Sequence, residues 1–343
     1  MHICLLTADG TEGGIKKHIL DLSTELAKEN KVTVIGPREL TAQLSRNVFS
    51  IPFDWNLSRY NPILLWRLFK EVKNLSPNIL HTHGGKATFC IAKLIFFLRT
   101  TFVSTLHNAR IHKAKPYIYA DLTICVSSIV QSAAKKVGCY ETVVIHNGIE
   151  VPQRYRNIRQ ELLYNFRDHQ LPLLCGVGRL VTPKGFDRLL EISHKINANI
   201  LILGEGPQRT HLEKIIAEKN IAHKCVLLGY KDNVTQILQS VDGCVITSRA
   251  EGFSYVALEA LLSNTCVAST NVACSEFLPT YTILPDAPDL MANKLNLLIN
   301  NKKKWEDEMY TSFENALKNL TLQTMAAKTQ SVYKSLGGKG KLE

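Results

Sequence analysis

Two acids, Glu251 and Glu259, stand eight residues apart in the segment Glu251-Gly-Phe-Ser-Tyr-Val-Ala-Leu-Glu259. The apolar spacing of Val256, Leu258, Leu261 and Leu262 predicts a helix opening near Ser254. Glu251 then falls in the preceding loop and Glu259 inside the helix. The backbone N–H groups of Phe253, Ser254 and Tyr255 would lie at the positive end of the helix dipole, where phosphate binds readily. In isolation the pair reads more simply as a solvated loop acid and a helix acid facing water. Its company changes that. In Gly176-Val-Gly-Arg-Leu-Val-Thr-Pro-Lys-Gly185, Arg179 and Lys184 occupy a turn that follows a strand-like run. Arg can clamp phosphate oxygens with two parallel hydrogen bonds and Lys supplies a mobile point charge, so together they suit a departing diphosphate. Two solvated loop cations are an equally good reading of this segment in isolation.

A second glycine turn, Gly13-Gly14, separates the first strand-like run from a helical pattern at Ile15, Ile19, Leu22 and Leu26. It would let backbone approach a phosphate. The dinucleotide fingerprint G-x-G-x-x-G is absent there, and the second strand ends in Gly36-Pro37 rather than an acid. His107 closes another strand-like run, a position as often structural as functional. His81 and His83 alternate on one strand face like a metal pair, but the sequence identifies no third ligand, so no zinc site is assigned; His112 has no comparable support.

The elements that must position these residues follow one rhythm. Short apolar runs at 3–6, 32–35, 79–81, 102–106, 122–126 and 143–145 alternate with longer helical patterns, which predicts a parallel sheet flanked by helices. The rhythm restarts at 173–177 and continues at 200–203, 226–228, 244–246 and 266–268. The expectation is an α/β protein of two doubly wound, Rossmann-like domains, 1–150 and 151–336, with residues 337–343 read as a linker or tag scar. His146-Asn-Gly-Ile-Glu-Val-Pro152 carries the turn signals of an ordered connection. Carboxyl ends of both sheets are expected to face one cleft, where such folds bind ligands. Helical patterns at 290–298 and 302–336 have no strand after them; they are expected to cover the second domain, with a return to the first left open.

Composition narrows the class. The 343 residues are 45% hydrophobic, enough for two packed cores. Nine cysteines, an odd number without a C-x-x-C pair, read as reduced core residues of a cytoplasmic protein. Neither a secretion signal nor a spanning segment is expected, because the most apolar stretch, 89–98, is short and interrupted by Lys93. The net charge of +11 is uneven: from Arg59 to Lys115 ten basic residues face the single acid Glu71, beside Trp66, Phe69, Phe96 and Phe97. Two readings stand, peripheral contact with an anionic membrane or core aromatics with solubilising charges. No nucleic-acid partner is expected, since no recognition motif accompanies the charge.

Taken in order, Gly178-Arg179 with Lys184-Gly185, Gly204-Glu-Gly-Pro207, Gly229-Tyr230 and Glu251 to Glu259 closely resemble the retaining glycosyltransferases of family four, which have the GT-B fold. The resemblance spans nearly the whole chain and takes in Gly13-Gly14, His107 and His146-Asn147-Gly148. It implies that Arg179 and Lys184 bind the donor diphosphate, that Glu259 accepts hydrogen bonds from the ribose and that Glu251 holds sugar hydroxyls. Amides at Gly13-Gly14 and at Phe253, Ser254 and Tyr255 would contact phosphates or sugar, Gly229 and Tyr230 would border the base, and His107 would face the reacting centre. The implied reaction moves a hexose or N-acetylhexosamine, with retention, from a UDP-linked or related donor to a glycan or lipid-linked acceptor. Lipopolysaccharide or another bacterial surface polysaccharide is the implied destination. The leaving phosphate would help deprotonate the acceptor, with neither metal nor cofactor: no Asp-x-Asp is present, and Glu306-Asp-Glu308 reads as a solvated helix face. The rivals are a nucleotide-sugar epimerase of similar shape and a non-catalytic binder of anionic polymers.

Overall fold

The structure is a computed structural model that describes residues 1–10, 13–109 and 115–337. It divides into two compact units, one formed by Met1–Gly148 with the chain from Thr321 onward, the other by Ile149–Leu320.

The first unit alternates strands and helices: β1 (His2–Thr7), α1 (Gly14–Leu26), β2 (Lys31–Gly36), the short α2 (Arg38–Thr41) and β3 (Phe49–Pro52). It continues with α3 (Pro62–Leu75), β4 (Ile79–His83), α4 (Gly85–Leu98), β5 (Thr101–Leu106), β6 (Leu122–Cys125), α5 (Ser128–Lys135) and β7 (Thr142–Val144). The sheet is parallel, in the order β3-β2-β1-β4-β5-β6-β7. Helices cover both faces, so central strands are apolar runs: Ile3, Cys4, Leu5 and Leu6 are all inaccessible to solvent. The sequence reading passed over β3. It is a four-residue edge strand with Phe49 exposed and Pro52 at its end, where a missing donor is harmless.

In the second unit follow α6 (Arg159–Leu163), β8 (Leu173–Val177), α7 (Phe186–Ile192), β9 (Asn199–Leu203), α8 (Arg209–Glu218), β10 (Cys225–Gly229) and α9 (Val234–Leu238). After them come β11 (Gly243–Ile246), α10 (Tyr255–Leu262), β12 (Val267–Thr270), β13 (Ile283–Leu284), α11 (Pro288–Asn300) and α12 (Lys302–Asn319). This sheet is parallel as well, ordered β10-β9-β8-β11-β12-β13. Trp305 of α12 is buried against it, and a Cβ at Gly243 would come within 2.4 Å of the indole.

The pattern expected as one helix over 302–336 is two. The chain leaves α12 at Asn319, and the Thr321 hydroxyl accepts a 3.2 Å hydrogen bond from the Thr324 N–H as α13 (Leu322–Gly337) begins. The two helices part company there. Met325, Ala326 and Tyr333 of α13 share a core cluster with Ile19, Leu22 and Leu26 of α1, in the first unit. All nine cysteines are buried and free.

Candidate active site

In the second unit the turns after β8, β9 and β10 stack side by side: Gly178 N–H donates to Leu203 O at 2.9 Å and Gly204 N–H to Gly229 O at 2.8 Å. Glycine is needed for this contact. Gly204 has φ 133°, and a Cβ there would sit 1.9 Å from Gly178 O. The stacked turns hold Arg179 and the loop ending at Gly185 at the carboxyl end of the sheet, the ligand-binding end of doubly wound folds.

Lys184 and Glu251, 67 residues apart, meet here. Lys184 Nζ donates to Glu251 Oε1 at 2.7 Å, and Ser248 Oγ donates to the same oxygen at 2.5 Å. The Glu251 side chain is 7% exposed and that of Lys184 26%. The two loops are fastened alongside. Arg249 forks onto the Asp187 carboxylate at 2.7 and 2.6 Å and donates to Thr182 O at 3.0 Å, while its N–H reaches Pro183 O at 2.8 Å. The Arg249 guanidinium holds the Asp187 carboxyl below its ordinary value. Thr247 Oγ1 completes the join by donating to Gly185 O at 2.9 Å.

Ser254 opens α10, its buried Oγ accepting from the Ala257 N–H at 3.3 Å. Lys184, Glu251, Ser254 and Val256 line one pocket with Val177 and Phe186. Glu259 follows on α10, half-buried, and Phe253 and Tyr255 pack edge to face with ring centroids 6.5 Å apart. Arg179 is exposed and, among the described residues, forms no ion pair. Tyr230 projects with 71% of its surface exposed. This arrangement offers an anion one unpaired guanidinium, one amine already held in place, and a capped helix start. Sequence reasoning treated Lys184 and Glu251 as separate instruments and missed the Arg249–Asp187 clamp, since nothing in local spacing signals a pair 62 residues apart.

In the first unit Gly13 precedes α1 and Gly14 is its first residue; Thr11 and Glu12 of that turn lie outside the described residues. His107 follows β5 and gathers with two other histidines. His83 Nδ1 lies 3.2 Å from His107 Nε2, and His18 of α1 stacks near both, with centroids 5.1 Å from His83 and 4.9 Å from His107. His81 is occupied elsewhere, its Nδ1 paired with the Tyr333 hydroxyl at 2.5 Å and its Nε2 with Thr105 Oγ1 at 2.7 Å. The sequence reading paired His83 with His81 on one strand face; the structure instead places His83 beside His18 and His107, which come from other elements. His18 had a signal, since it falls on the buried stripe of Ile15, Ile19 and Leu22. Burial pushes the His18 imidazole down to about 4, against a raising contribution from Asn147, and holds His81, His83 and His107 well below their ordinary value. His112 lies outside the described residues. Asn147 Oδ1 accepts from His18 Nδ1 at 2.9 Å, so this segment, expected as a connection, is built into the first unit.

Two parallel doubly wound units, one bearing a cation-rich turn beside a capped helix, define a GT-B glycosyltransferase architecture. The chain belongs to the glycosyltransferases of family four: residues 12–152 match the description Glycosyltransferase Family 4 and residues 172–301 match Glycosyl transferases group 1. An uncharacterized glycosyltransferase of Methanocaldococcus jannaschii is 26% identical over 303 residues, 75% of each chain. The lipopolysaccharide core biosynthesis glycosyltransferase LpsD of Rhizobium meliloti is 23% identical over 261 residues, 73% of each. In fold, HepE of Anabaena in complex with UDP-glucose superposes with a TM-score of 0.84 at 19% identity, covering 98% of this chain and 100% of that one.

Proposed function

We propose that this glycosyltransferase moves a hexose or N-acetylhexosamine, with retention at the anomeric carbon, from a UDP-linked donor to a glycan or lipid-linked acceptor of a bacterial lipopolysaccharide or polysaccharide. The observation that carries the reading is the Lys184–Glu251 pair beside the Ser254 cap, with Arg179 exposed on the same strand-end turn. LpsD and the UDP-glucose complex of HepE support the choice of acceptor and donor class.

In this reading Arg179 and Lys184 take the diphosphate as the glycosidic C–O bond breaks, and the start of α10 adds its dipole. Glu251 keeps Lys184 oriented and turns its other oxygen to the sugar hydroxyls. Glu259 accepts from the ribose, Gly229 and Tyr230 border the base, and amides of the Gly13-Gly14 turn and of Phe253 to Tyr255 help hold phosphate and sugar. His107 attends the reacting centre. The acceptor proton passes to the leaving phosphate on the face the nucleotide vacates. No ion on the diphosphate is required, because the two cations supply the charge, and no organic cofactor takes part.

A thermal-shift panel tests the donor: UDP and UDP-sugars raise the melting temperature, since a ligand of the folded state stabilises it by mass action. Product analysis tests the reaction. A new glycosidic bond with the donor's anomeric configuration is expected, whereas free epimerised sugar, or a panel in which no nucleotide shifts the melt, would sink the reading.

A second partner has its own observation. Trp66, Phe96 and Phe97 are 61%, 79% and 71% exposed, so they are not core, and Lys70 and Lys93 lie over the Trp66 and Phe89 rings at 5.5 and 5.9 Å. Of the basic stretch, Arg110 and Lys113 lie outside the described residues, and no described helix is long and apolar enough to cross a membrane. We infer peripheral contact with an anionic cytoplasmic membrane face through α3 and α4. Sedimentation with anionic liposomes should be strong at low salt and weak at high salt; indifference to lipid charge would remove the idea.

A further inference from the structure

We propose that His18, His83 and His107 form a binding site for one transition-metal cation of the zinc class. Their ligand nitrogens all lie within 4.8 Å of one another. They come from the first turns of α1, the last residue of β4 and the residue after β5, so three elements converge on one point at the carboxyl ends of the strands.

The cluster is built rather than incidental. His18 and His83 are 4% and 0% exposed, yet His18 Nε2 and His83 Nε2 have no hydrogen-bond partner. Buried polar groups are almost always satisfied, so the orphan at His18 Nε2 calls for a missing partner. The tautomer of His18 is set by its neighbour: Asn147 Oδ1 can only accept, so Nδ1 carries the proton and Nε2 presents a lone pair to the cluster. His83 Nδ1 and His107 Nε2 stand 3.2 Å apart. Two nitrogens on one tetrahedral zinc at ~2.05 Å are ~3.3 Å apart, so this pair already has the spacing of shared coordination. A bound ion would draw His18 inward and peg α1 to the ends of β4 and β5.

The donor set selects the ion. Three neutral imidazoles suit zinc, cobalt, nickel and copper, whereas magnesium and calcium require oxygen ligands. His81 is excluded because Tyr333 and Thr105 occupy both its ring nitrogens. The site shares His107 with the reacting centre of the proposed function but does not involve the charges that Arg179 and Lys184 offer a diphosphate, and its test does not pass through sugar transfer.

The experiment uses the full chain, stripped with a chelator and titrated with Co²⁺. One ion per chain is expected, with the intense visible bands of a low-symmetry site, displaced by equimolar Zn²⁺. His18→Ala and His83→Ala should each lose the bands and weaken Zn²⁺ binding at least 100-fold, and Asn147→Ala should weaken it 10- to 100-fold, as loss of an orienting partner does. His211→Ala, an exposed position, should change nothing. Because the alanine variants remove buried side chains, X-ray absorption of the Zn²⁺-loaded wild type provides a reading without mutation: three imidazoles at ~2.0–2.1 Å are expected. Zn²⁺ bound through one imidazole or none, or unchanged affinity in folded His18→Ala and His83→Ala, would overturn the site.

Discussion

The two units carry the same sheet plan and opposite chemistry at its business end. Counting strands within each unit, both sheets run 3-2-1-4-5-6, with a seventh strand in the first. At the carboxyl ends of these strands the second unit presents charges tied into pairs, Lys184 with Glu251 and Arg249 with Asp187. The first presents imidazoles, His18 and His83 buried and His107 half-buried, that burial holds below their ordinary value. The difference follows from the turns. Glycines at the ends of β8, β9 and β10 let those turns stack backbone against backbone, with Arg179 left exposed on the first of them. The ends of β4 and β5 lie under α1, where histidine can stay only by giving up its proton.

The sharpest break in the comparison is chemical. Arg179→Ala and Lys184→Ala should each cut kcat/KM for transfer by roughly 10²-fold or more, about 3 kcal/mol of barrier. They should differ in stability. Arg179→Ala removes an exposed side chain and should leave the melt unchanged, whereas Lys184→Ala strands the Glu251 carboxylate and should cost about 1–3 kcal/mol. Removing both partners, in Lys184→Ala with Glu251→Ala, should restore part of that loss; strictly additive melts would show that the pair is not coupled.

Next in size is the backbone itself. Gly204→Ala places a methyl 1.9 Å from Gly178 O and imposes φ 133° on a residue with a side chain. The stacked turns must separate, and denaturant unfolding should register a loss of about 3 kcal/mol together with weakened nucleotide binding. Smaller again is Glu259→Ala, which should weaken UDP about tenfold in calorimetry, ~1.4 kcal/mol. Unchanged affinity would take the ribose away from Glu259.

How much of this was legible beforehand divides along the same line. Central strands were legible because burial on both faces demands an unbroken apolar run, as at Ile3–Leu6 and Ile200–Leu203. The edge strands Phe49–Pro52 and Ile283–Leu284 were not, since short pairing on one side leaves little composition to read. Helix α10 was legible from Ser254 and the apolar spacing after it; the break at Thr321 was not, because helical periodicity runs through both α12 and α13 and only packing separates them. At the sites, Arg179, Lys184, Glu251 and Glu259 were named from local motifs. The contacts that join 184 to 251, 187 to 249, or 18 to 83 and 107 are tertiary, and no spacing along the chain encodes them.

The smallest expected effect tests whether pairing of charges extends through the second unit away from its turns. Asp242 accepts from the Leu173 N–H at 2.7 Å and pairs with Arg159 and Lys302, both at 2.6 Å, joining α6, the start of β8 and α12. Burial works to raise its carboxyl, but the Leu173 N–H, Lys302 and Arg159 together outweigh it and leave the group below its ordinary value. A carboxyl depressed by folding contributes stability that is present above the unfolded value and is lost as pH falls through the folded one. Asp242→Asn should therefore destabilise by about 1 kcal/mol at neutral pH, since two of the three partners are partly solvated. Thermal melts should show that gap constant from pH 7 to about 4.5, then closing as the wild-type carboxylate takes up its proton. A gap that opens on acidification would mean that Asp242 is held neutral, like the imidazoles of the first unit, and the contrast between the units would stop at their turns.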